Sequence, residues 1–276
     1  FYYKTFMWPK SFWYKVYEPF IRKAAGLGVA SIKHDKERYE HKYEYCDLLV
    51  AGSGPSGLAS AYAAAKNGAR VILAEDKPRF GGSLLTSEVN IGNQSGKEWA
   101  DNIISELKEM PNVIVKNRSQ VFGYYDHNML VMSEKLSDHL PKTKKYNPKQ
   151  RLWYIRAKEV VISSGSIERP LVFGNNDTPG VMLSSAAKEY LKVYGVLVGK
   201  KPLIFTNNDS GYETAIEFKK NGVDPVVLDT RKELKSEIID EAKKLNIQIK
   251  FSYVVVAAKG YKKVKSAEVA KISDDK

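Results

Sequence analysis

A glycine-rich turn is the part of this sequence whose residue types and spacing are best suited to chemistry. It reads Gly52-Ser53-Gly54-Pro55-Ser56-Gly57 and lies between a strand-like and a helix-like segment. In such a turn the first glycine permits a sharp bend, the second lets the backbone approach a pyrophosphate, and the third lets the helix press on the strand. The helix that opens at Pro55 offers free N–H groups and a positive dipole end to phosphates, and Ser56 adds a hydroxyl or amide contact. The pattern predicts a dinucleotide site.

An acidic residue at the end of the next strand strengthens this prediction. Glu75 ends the strand-like run of residues 70–75, where a carboxylate accepts hydrogen bonds from both ribose hydroxyls. Its charge, with that of Asp76, is expected to repel the 2′-phosphate of an NADP-type cofactor. We expect Gly82 and the glycine before it to bring a second loop near the diphosphate or ribose, although a simple tight turn explains them equally well.

Two later turns bear on the same interpretation. Gly165 follows a strand-like segment where two-domain flavoproteins return the chain beneath the cofactor, and a plain turn after a buried strand is an equal alternative. A second strand–turn–helix unit begins at residues 202–206, but its turn holds one glycine, Gly211, where three are expected. Asp209 would place a carboxylate where a pyrophosphate needs donors. We therefore predict that the second Rossmann-like unit is not a working nicotinamide site.

Other reactive constellations are missing from the sequence. The four histidines, His34, His41, His127 and His139, show no metal-ligand spacing, and there is no Gly-x-Ser-x-Gly nucleophile turn. Cys46 is the single cysteine, which excludes an internal disulfide and a Cys-x-x-Cys redox pair. The sequence therefore predicts neither a catalytic residue nor a metal ligand in this chain.

The elements that position these residues alternate between strand and helix patterns. Residues 46–51, 56–67 and 70–75 form a βαβ unit, and residues 97–109 a further helix. Residues 120–125, 129–133 and 151–156 alternate in polarity and predict an antiparallel meander, after which 159–165 is predicted to be a buried strand. Residues 184–229 form a second βαβ-like unit, followed by a charged helix at 232–245. The predicted fold class is α/β, with two Rossmann-like dinucleotide-binding units of the two-domain flavoprotein type.

The same patterns divide the chain into three parts. Residues 1–45 are predicted to be an aromatic helical segment and linker, 46–180 the dinucleotide-binding domain, and 181–276 a degenerate Rossmann-like domain, incomplete at its C-terminus. Within the first part, residues 11–25 predict an amphipathic helix interrupted by Pro19, and the charged run 33–42 a linker. The helix could lie on a membrane, but packing against a larger protein is favoured.

Composition limits the class of protein. The 276 residues are 43% hydrophobic and carry a net charge of +12, with lysines scattered along the chain. This distribution favours a solvated basic surface over nucleic-acid binding. No apolar run is long enough for a membrane span, and no signal peptide is evident, so a cytoplasmic location is expected. Because the chain starts at Phe1 and ends just after strand-like sequence, we expect a fragment of a longer polypeptide.

Several blocks of sequence together resemble the alpha subunits of heterotetrameric sarcosine oxidases. The most specific are the aromatic N-terminal block at residues 1–9 and the Thr-Asn-Asn-Asp run at 206–209. Further similar blocks are residues 16–19, 21–28, 80–85, 151–153, 167–173, 176–177 and 179–182, together with the glycine turn. The resemblance covers nearly the whole chain.

The resemblance implies an oxidoreductase that demethylates sarcosine to glycine with O2 and tetrahydrofolate, yielding H2O2 and 5,10-methylenetetrahydrofolate. Sarcosine would be oxidised at FAD on the beta chain, FMN would lie between the alpha and beta chains, and this chain would hold NAD. The implied partners are the beta, gamma and delta subunits, with tetrahydrofolate bound by a C-terminal domain that this sequence lacks, as it lacks an N-terminal ferredoxin-like part. By position, the implied NAD contacts are Ser56, Glu75, Asp76, Lys77 and Ser83, with a backbone contact near Val121 at the adenine. Ser56 and Glu75 depart mildly from the family's small apolar residue and Asp.

Two other interpretations stay open. In the first, the glycine turn binds FAD in a subunit of a related amino-acid or opine dehydrogenase, or of an NAD(P)H-dependent oxidoreductase. In the second, the basic chain is a surface-binding module for nucleic acid or anionic lipid.

Overall fold

The structure, a computed structural model, describes residues 8–28, 30–141, 147–233 and 235–273. The chain forms two compact units, an N-terminal unit, Phe1–Arg38, and a main unit, Tyr39–Lys276. The domain boundaries predicted at residues 45 and 180 stay a prediction. Most of the aromatic block at residues 1–9 lies outside the described residues.

The N-terminal unit contains the predicted N-terminal helix. A 3-10 turn (Lys10–Phe12) and a π-helical turn (Trp13–Tyr17) lead into α1 (Glu18–Ala24). Pro19 lies in the first turn of α1 and does not interrupt it, because the N–H that proline lacks is one that a helix start leaves unpaired. None of these residues is buried, and Phe20 is 73% exposed.

The main unit is built around a six-stranded sheet with the strand order β5-β2-β1-β8-β7-β6. The strands of this part of the chain are β1 (Tyr39–Ala51), β2 (Val71–Ala74), the short pair β3 (Asn90–Ile91) and β4 (Gln94–Ser95), β5 (Val113–Lys116), β6 (Ser119–Tyr125), β7 (Met129–Lys135) and β8 (Gln150–Ile162). Strands β5, β2, β1 and β8 are parallel, whereas β6 and β7 are antiparallel to their neighbours. The predicted βαβ unit and meander are both confirmed.

Two long strands differ from the sequence prediction. The segments predicted separately at 151–156 and 159–165 form one strand, β8, and Ile162 near its end is 65% exposed rather than buried. Strand β1 begins at Tyr39, inside the run 33–42 that was predicted to be a linker. The linker prediction was wrong there because charge hid the alternation of residues 39–46, which pair with 150–157 of β8.

Helices and meander cover opposite faces of the parallel strands. Helices α2 (Pro55–Lys66) and α3 (Gly96–Glu109) pack on one face, where Leu58, Leu73 and Leu107 are fully buried. On the other face, Leu49 and Ile72 of the parallel strands pack against side chains of the meander. The result is three layers, in the order helices, parallel sheet and meander.

A buried carboxylate ties the meander to the parallel sheet. Glu134 of β7 is 6% exposed and accepts a hydrogen bond from Trp153 Nε1 at 2.8 Å. It also pairs with Lys116 of β5 at 3.0 Å and with Arg151 of β8 at 3.4 Å. Because these partners are cations and a hydrogen-bond donor, the cost of desolvating the charge is offset.

The second predicted Rossmann-like unit is a separate three-stranded parallel sheet. Its strands β9 (Leu203–Thr206), β10 (Val226–Asp229) and β11 (Gln248–Phe251) are covered by α4 (Ser184–Tyr194), α5 (Ser210–Lys220) and α6 (Glu237–Lys244), and a hairpin of β12 (Tyr253–Gly260) and β13 (Val264–Lys271) follows. Helix α6 is shorter than the predicted 232–245, because Arg231 and Ser236 at the two ends of the preceding segment both bond to Asp209. None of the helices in the described residues is long and apolar enough to cross a membrane.

Candidate functional site

Two of the three glycines in the turn are required by the fold itself. Gly52 has φ +102°, and a Cβ there would lie 2.3 Å from the carbonyl oxygen of Ser163 at the end of β8. A Cβ on Gly57 would lie 2.0 Å from the carbonyl oxygen of Gly52. These overlaps show that the turn, the start of α2 and the end of β8 are pressed together without space for side chains.

The middle glycine faces open space instead. A Cβ on Gly54 would meet no atom within 4 Å, and its φ of −66° suits any residue. Gly54 is also the N-cap of α2, where no side chain caps the helix, and Pro55 occupies the first turn. The early N–H groups of α2 are therefore available to a ligand. Because the fold itself does not require this glycine, the open position suits the close approach of a pyrophosphate.

Ser53 links the turn to the acidic strand end. It is fully buried, and its N–H and its hydroxyl both donate to Glu75 Oε2, the N–H at 2.9 Å. The other oxygen, Oε1, accepts from the N–H of Lys77 at 3.0 Å. The side chain of Asp76 also interacts with this carboxyl group, so most of its acceptor capacity is used within the protein. The predicted contacts of Glu75 with both ribose hydroxyls stay a prediction.

The environment of Glu75 also changes its acidity. The residue is 7% exposed, and this burial raises the pKa of its carboxyl above the ordinary value. The neighbouring Asp76 raises the pKa further, whereas the bonds from Ser53 and Lys77 lower it. Asp76 itself is exposed. Burial therefore disfavours the charged form of this carboxyl group, and the bond from the buried Ser53 hydroxyl offsets part of that cost.

The second glycine loop closes over the first. Gly81 donates to the carbonyl oxygen of Ser53 at 3.0 Å, and a Cβ on Gly82 would lie 2.8 Å from Gly54 Cα. Gly82 and Ser83 begin a 3-10 turn, and Ser83 is exposed. The structure thus brings the two glycine loops together and leaves Ser83 accessible beside them, while the approach of the second loop to a diphosphate or ribose stays a prediction.

The remaining predicted residues lie at different distances from the turn. Ser119, two residues before Val121, donates its N–H to the Glu75 carbonyl at 2.7 Å, so β6 starts beside the acidic strand end. The pairing of β6 with β7 shifts between Val121 and Gly123, a bulge that leaves backbone groups unpaired. Gly165 has φ +72°, and a Cβ there would meet no atom within 4 Å. The residue of this segment that lies against Gly52 of the turn is Ser163.

Sequence reasoning missed two residues of this site. It treats Ser53 as a spacer between glycines and Ser163 as part of a strand. The sequence did hold a signal for Ser53. It is a small polar residue between the first two glycines, and the strand end carries Glu75 where Asp is usual. No local signal marks Ser163, because its role depends on the pairing of β8 with β1.

The turn of the second Rossmann-like unit is closed by its own side chains. Arg231 Nη2 bonds to Asp209 at 2.8 Å and to the fully buried Asp229 at 2.8 Å. Tyr212 donates to the same Asp229 at 2.8 Å. Asp209, at the N-cap of α5, thus puts a carboxylate at the helix start and engages it with Arg231. That the second unit is not a working nicotinamide site stays a prediction.

Two further observations concern groups that could react or bind a metal ion. Burial raises the pKa of the Cys46 thiol to about 12, which leaves it protonated and inert. Among the described residues, no group of three or more His, Cys, Asp or Glu side chains is placed to hold a metal ion.

The sequence matches one protein family, and the fold resembles several solved structures. Residues 47–134, which contain the glycine turn, Glu75 and Val121, match the family described as FAD dependent oxidoreductase. This match supports a flavin-type adenine dinucleotide site at the turn. In solved structures, the fold resembles T. acidophilum thioredoxin reductase, with a TM-score of 0.60 and 17% identity over 84% of this chain and 72% of that one. It also resembles L-proline dehydrogenase from P. horikoshii, with a TM-score of 0.58 and 20% identity over 87% and 43%.

Curated relatives are closer in sequence. The chain is 47% identical to the sarcosine oxidase alpha subunit of Rhizobium meliloti (strain 1021), over 84% of this chain and 24% of the relative. It is 37% identical to that of Corynebacterium sp. (strain U-96), over 76% and 22%. An opine oxidase subunit of Agrobacterium tumefaciens (strain Ach5) is 28% identical over 59% of this chain and 33% of the relative.

The chain spans about a quarter of the length of the sarcosine oxidase subunits that it matches. The fold, the geometry of the glycine turn and the sequence identities are all those of a dinucleotide-binding oxidoreductase domain. This chain is homologous to part of the alpha subunits of sarcosine oxidases, and its residues 47–134 match the FAD-dependent oxidoreductase family.

Proposed function

We propose that this chain is the NAD-binding part of the alpha subunit of a heterotetrameric sarcosine oxidase. The observation that carries the proposal is the 47% identity over 84% of the chain to the alpha subunit of a sarcosine oxidase. The assembly would convert sarcosine, O2 and tetrahydrofolate into glycine, H2O2 and 5,10-methylenetetrahydrofolate. Beta, gamma and delta subunits, FAD and FMN would complete it.

The residues at the glycine turn fit such a dinucleotide. The open face of Gly54 and the first N–H groups of α2 would hold the pyrophosphate, with Ser56 beside them. The carboxylate of Glu75 would accept a hydrogen bond from the ribose, and the backbone at the Val121 bulge would meet the adenine. When bound, NAD supplies a nicotinamide ring that accepts or donates hydride.

This chain's own residues would bind and orient rather than catalyse. The groups gathered at the turn are glycine backbone, the buried Ser53, the exposed Ser56 and Ser83, and a carboxylate occupied by hydrogen bonds. None of them is an activated nucleophile or a free general base. The chemistry on sarcosine is therefore assigned to the partner chains.

An alternative cofactor is favoured by two findings. The family match is to FAD-dependent oxidoreductases, and the relatives include opine oxidase subunits. In that case the same turn would hold FAD in a subunit of an amino-acid or opine-oxidising enzyme. The choice of NAD rests on the resemblance of the chain to the sarcosine oxidase alpha subunits.

The two cofactors are distinguished by asking which one a variant of the turn loses. Since the proposed assembly also carries flavins on other chains, total flavin content alone is ambiguous. We propose to compare the intact protein with Gly54→Ala, in which a methyl group fills the open face of the turn. Gly199→Ala is the matched control, because a Cβ on Gly199 would also meet no atom within 4 Å, and this residue lies in the second Rossmann-like unit.

The cofactors released by denaturation are then quantified by absorbance and chromatography. Loss of NAD with flavin retained is the expected result for Gly54→Ala, and no loss for Gly199→Ala. Loss of one flavin equivalent would replace NAD by FAD at the turn. A peroxide assay with sarcosine tests the activity, and absence of peroxide from the wild-type assembly would refute the sarcosine assignment.

A further inference from the structure

One loop belongs to the dinucleotide site and also reaches the second Rossmann-like unit. This loop, residues 77–88, follows Glu75 and contains Gly81, Gly82 and Ser83. On the side of the glycine turn it is held by the Gly81–Ser53 hydrogen bond of 3.0 Å. Leu84, only 4% exposed, also anchors it in the core under α2 and α3.

Both ends of the loop are clamped to helices of the second Rossmann-like unit. Lys77 Nζ lies 2.7 Å from Glu189 Oε1 of α4. At the other end, Glu88 lies 3.0 Å from Lys220 of α5 and 3.4 Å from Lys192 of α4. The glycine pair that overlies Gly54 thus sits between two ionic attachments to that unit.

The attachment at Glu88 is a network rather than an isolated pair. Lys192 also pairs with Glu217 at 3.1 Å, and Glu217 is 5% exposed. The hydrogen bond from Lys220 is the largest cause that lowers the pKa of Glu88, to about 2. Glu88 is therefore charged at neutral pH, and its two lysines are each held by a second carboxylate, Glu217 or Glu241.

We propose that the second Rossmann-like unit, whose own turn is closed by Asp209 and Arg231, positions the 77–88 loop for the dinucleotide, with Glu88 as the positioning residue. The inference rests on the proposed function only in requiring a dinucleotide at the glycine turn. It assigns a role to a unit that the proposed function leaves without one.

Position matters in this loop because the two glycine segments touch. A Cβ on Gly82 would come within 2.8 Å of Gly54 Cα, so a small displacement of the loop changes the space above Gly54. By linkage, whatever orders the loop in its binding position strengthens dinucleotide binding by the same factor. Exposed ion pairs contribute little each, but Glu88 makes two, so its neutralisation is expected to weaken binding about 3- to 10-fold.

The test measures NAD affinity by calorimetry on the intact protein after bound NAD has been removed. Glu88→Gln removes the charge that faces Lys220 and Lys192, and Glu88→Lys reverses it. Glu233→Gln is the matched control, since Glu233 makes a 2.7 Å pair with Lys243 within the second Rossmann-like unit. Hydrogen exchange of the amides of residues 81–85 is measured on the same proteins without dinucleotide.

The expected result is weaker binding and faster exchange in Glu88→Gln, a larger change of both in Glu88→Lys, and no change for Glu233→Gln. Unchanged affinity in Glu88→Gln and Glu88→Lys overturns the proposal. If the wild-type protein binds no NAD, the proposed function fails and exchange alone decides. Unchanged exchange of residues 81–85 in Glu88→Lys then overturns the positioning role.

Discussion

Replacing Ser53 by alanine removes one hydroxyl group from the centre of the glycine turn. The side chain is fully buried, and its hydroxyl donates to the carboxylate of Glu75, itself buried. A hydrogen bond to a charged group contributes about 1.5–3 kcal/mol. Since alanine leaves the backbone N–H bond to Glu75 in place, we expect the free energy of unfolding at pH 7 to fall by about this amount.

The loss should depend on pH in a specific direction. The pKa of Glu75 in the folded protein is raised above its ordinary 4.5. The protonation of Glu75 therefore contributes to the free energy of unfolding fully below pH 4.5, and this contribution is lost as the pH rises through the folded-state pKa. The Ser53 hydroxyl lowers this pKa, and Ser53→Ala raises it further. When Glu75 is protonated the missing bond is a neutral one, worth about 0.5–1.5 kcal/mol. The destabilisation should therefore shrink as the pH falls from 7 towards 4.5.

Urea unfolding of both proteins across this pH range measures the effect. Ser60→Ala is the matched control, because the Ser60 hydroxyl bonds to the Ser56 carbonyl on the exposed face of α2. We expect the control to change the free energy of unfolding by less than about 0.5 kcal/mol. A loss below that level in Ser53→Ala, or an equal loss at both ends of the pH range, would refute the role given to Ser53.

Three other substitutions test the rest of the structure. Gly57→Ala should cost about 3 kcal/mol or more in thermal or urea unfolding, because its Cβ would overlap the carbonyl of Gly52; near-wild-type stability would contradict the close contact. Glu134→Ala should lower the free energy of unfolding by about 3–5 kcal/mol and shift tryptophan fluorescence, since Trp153 and two cations lose their buried partner. An unchanged emission spectrum would argue against the contact between Trp153 and Glu134. Arg231→Ala should lower the free energy of unfolding by a similar amount, about 3–5 kcal/mol, because Asp229 is left buried without its cation. In the same variant, NADH titration should detect no new site in the second Rossmann-like unit.

Much of the fold was predictable because it is encoded in short stretches of sequence. The glycine spacing marked the turn, and the alternation at 120–125 and 129–133 marked the meander strands that the structure contains. Helix α3 starts at the capping box of Ser95 and Glu98, one residue from its predicted start. Prediction failed where charged side chains masked a strand, as at the start of β1.

The sequence by itself determined that a strand, a glycine turn, a helix and an acidic strand end follow one another, because each depends on neighbours within a few residues. Only the tertiary structure decided that Gly54 alone among the three glycines of the turn faces open space, that Ser53 holds Glu75 across 22 residues, and that Arg231 closes the second turn. These contacts depend on strand order and register, which bring together residues far apart in the chain. Local propensity contains no information about which distant side chains will meet.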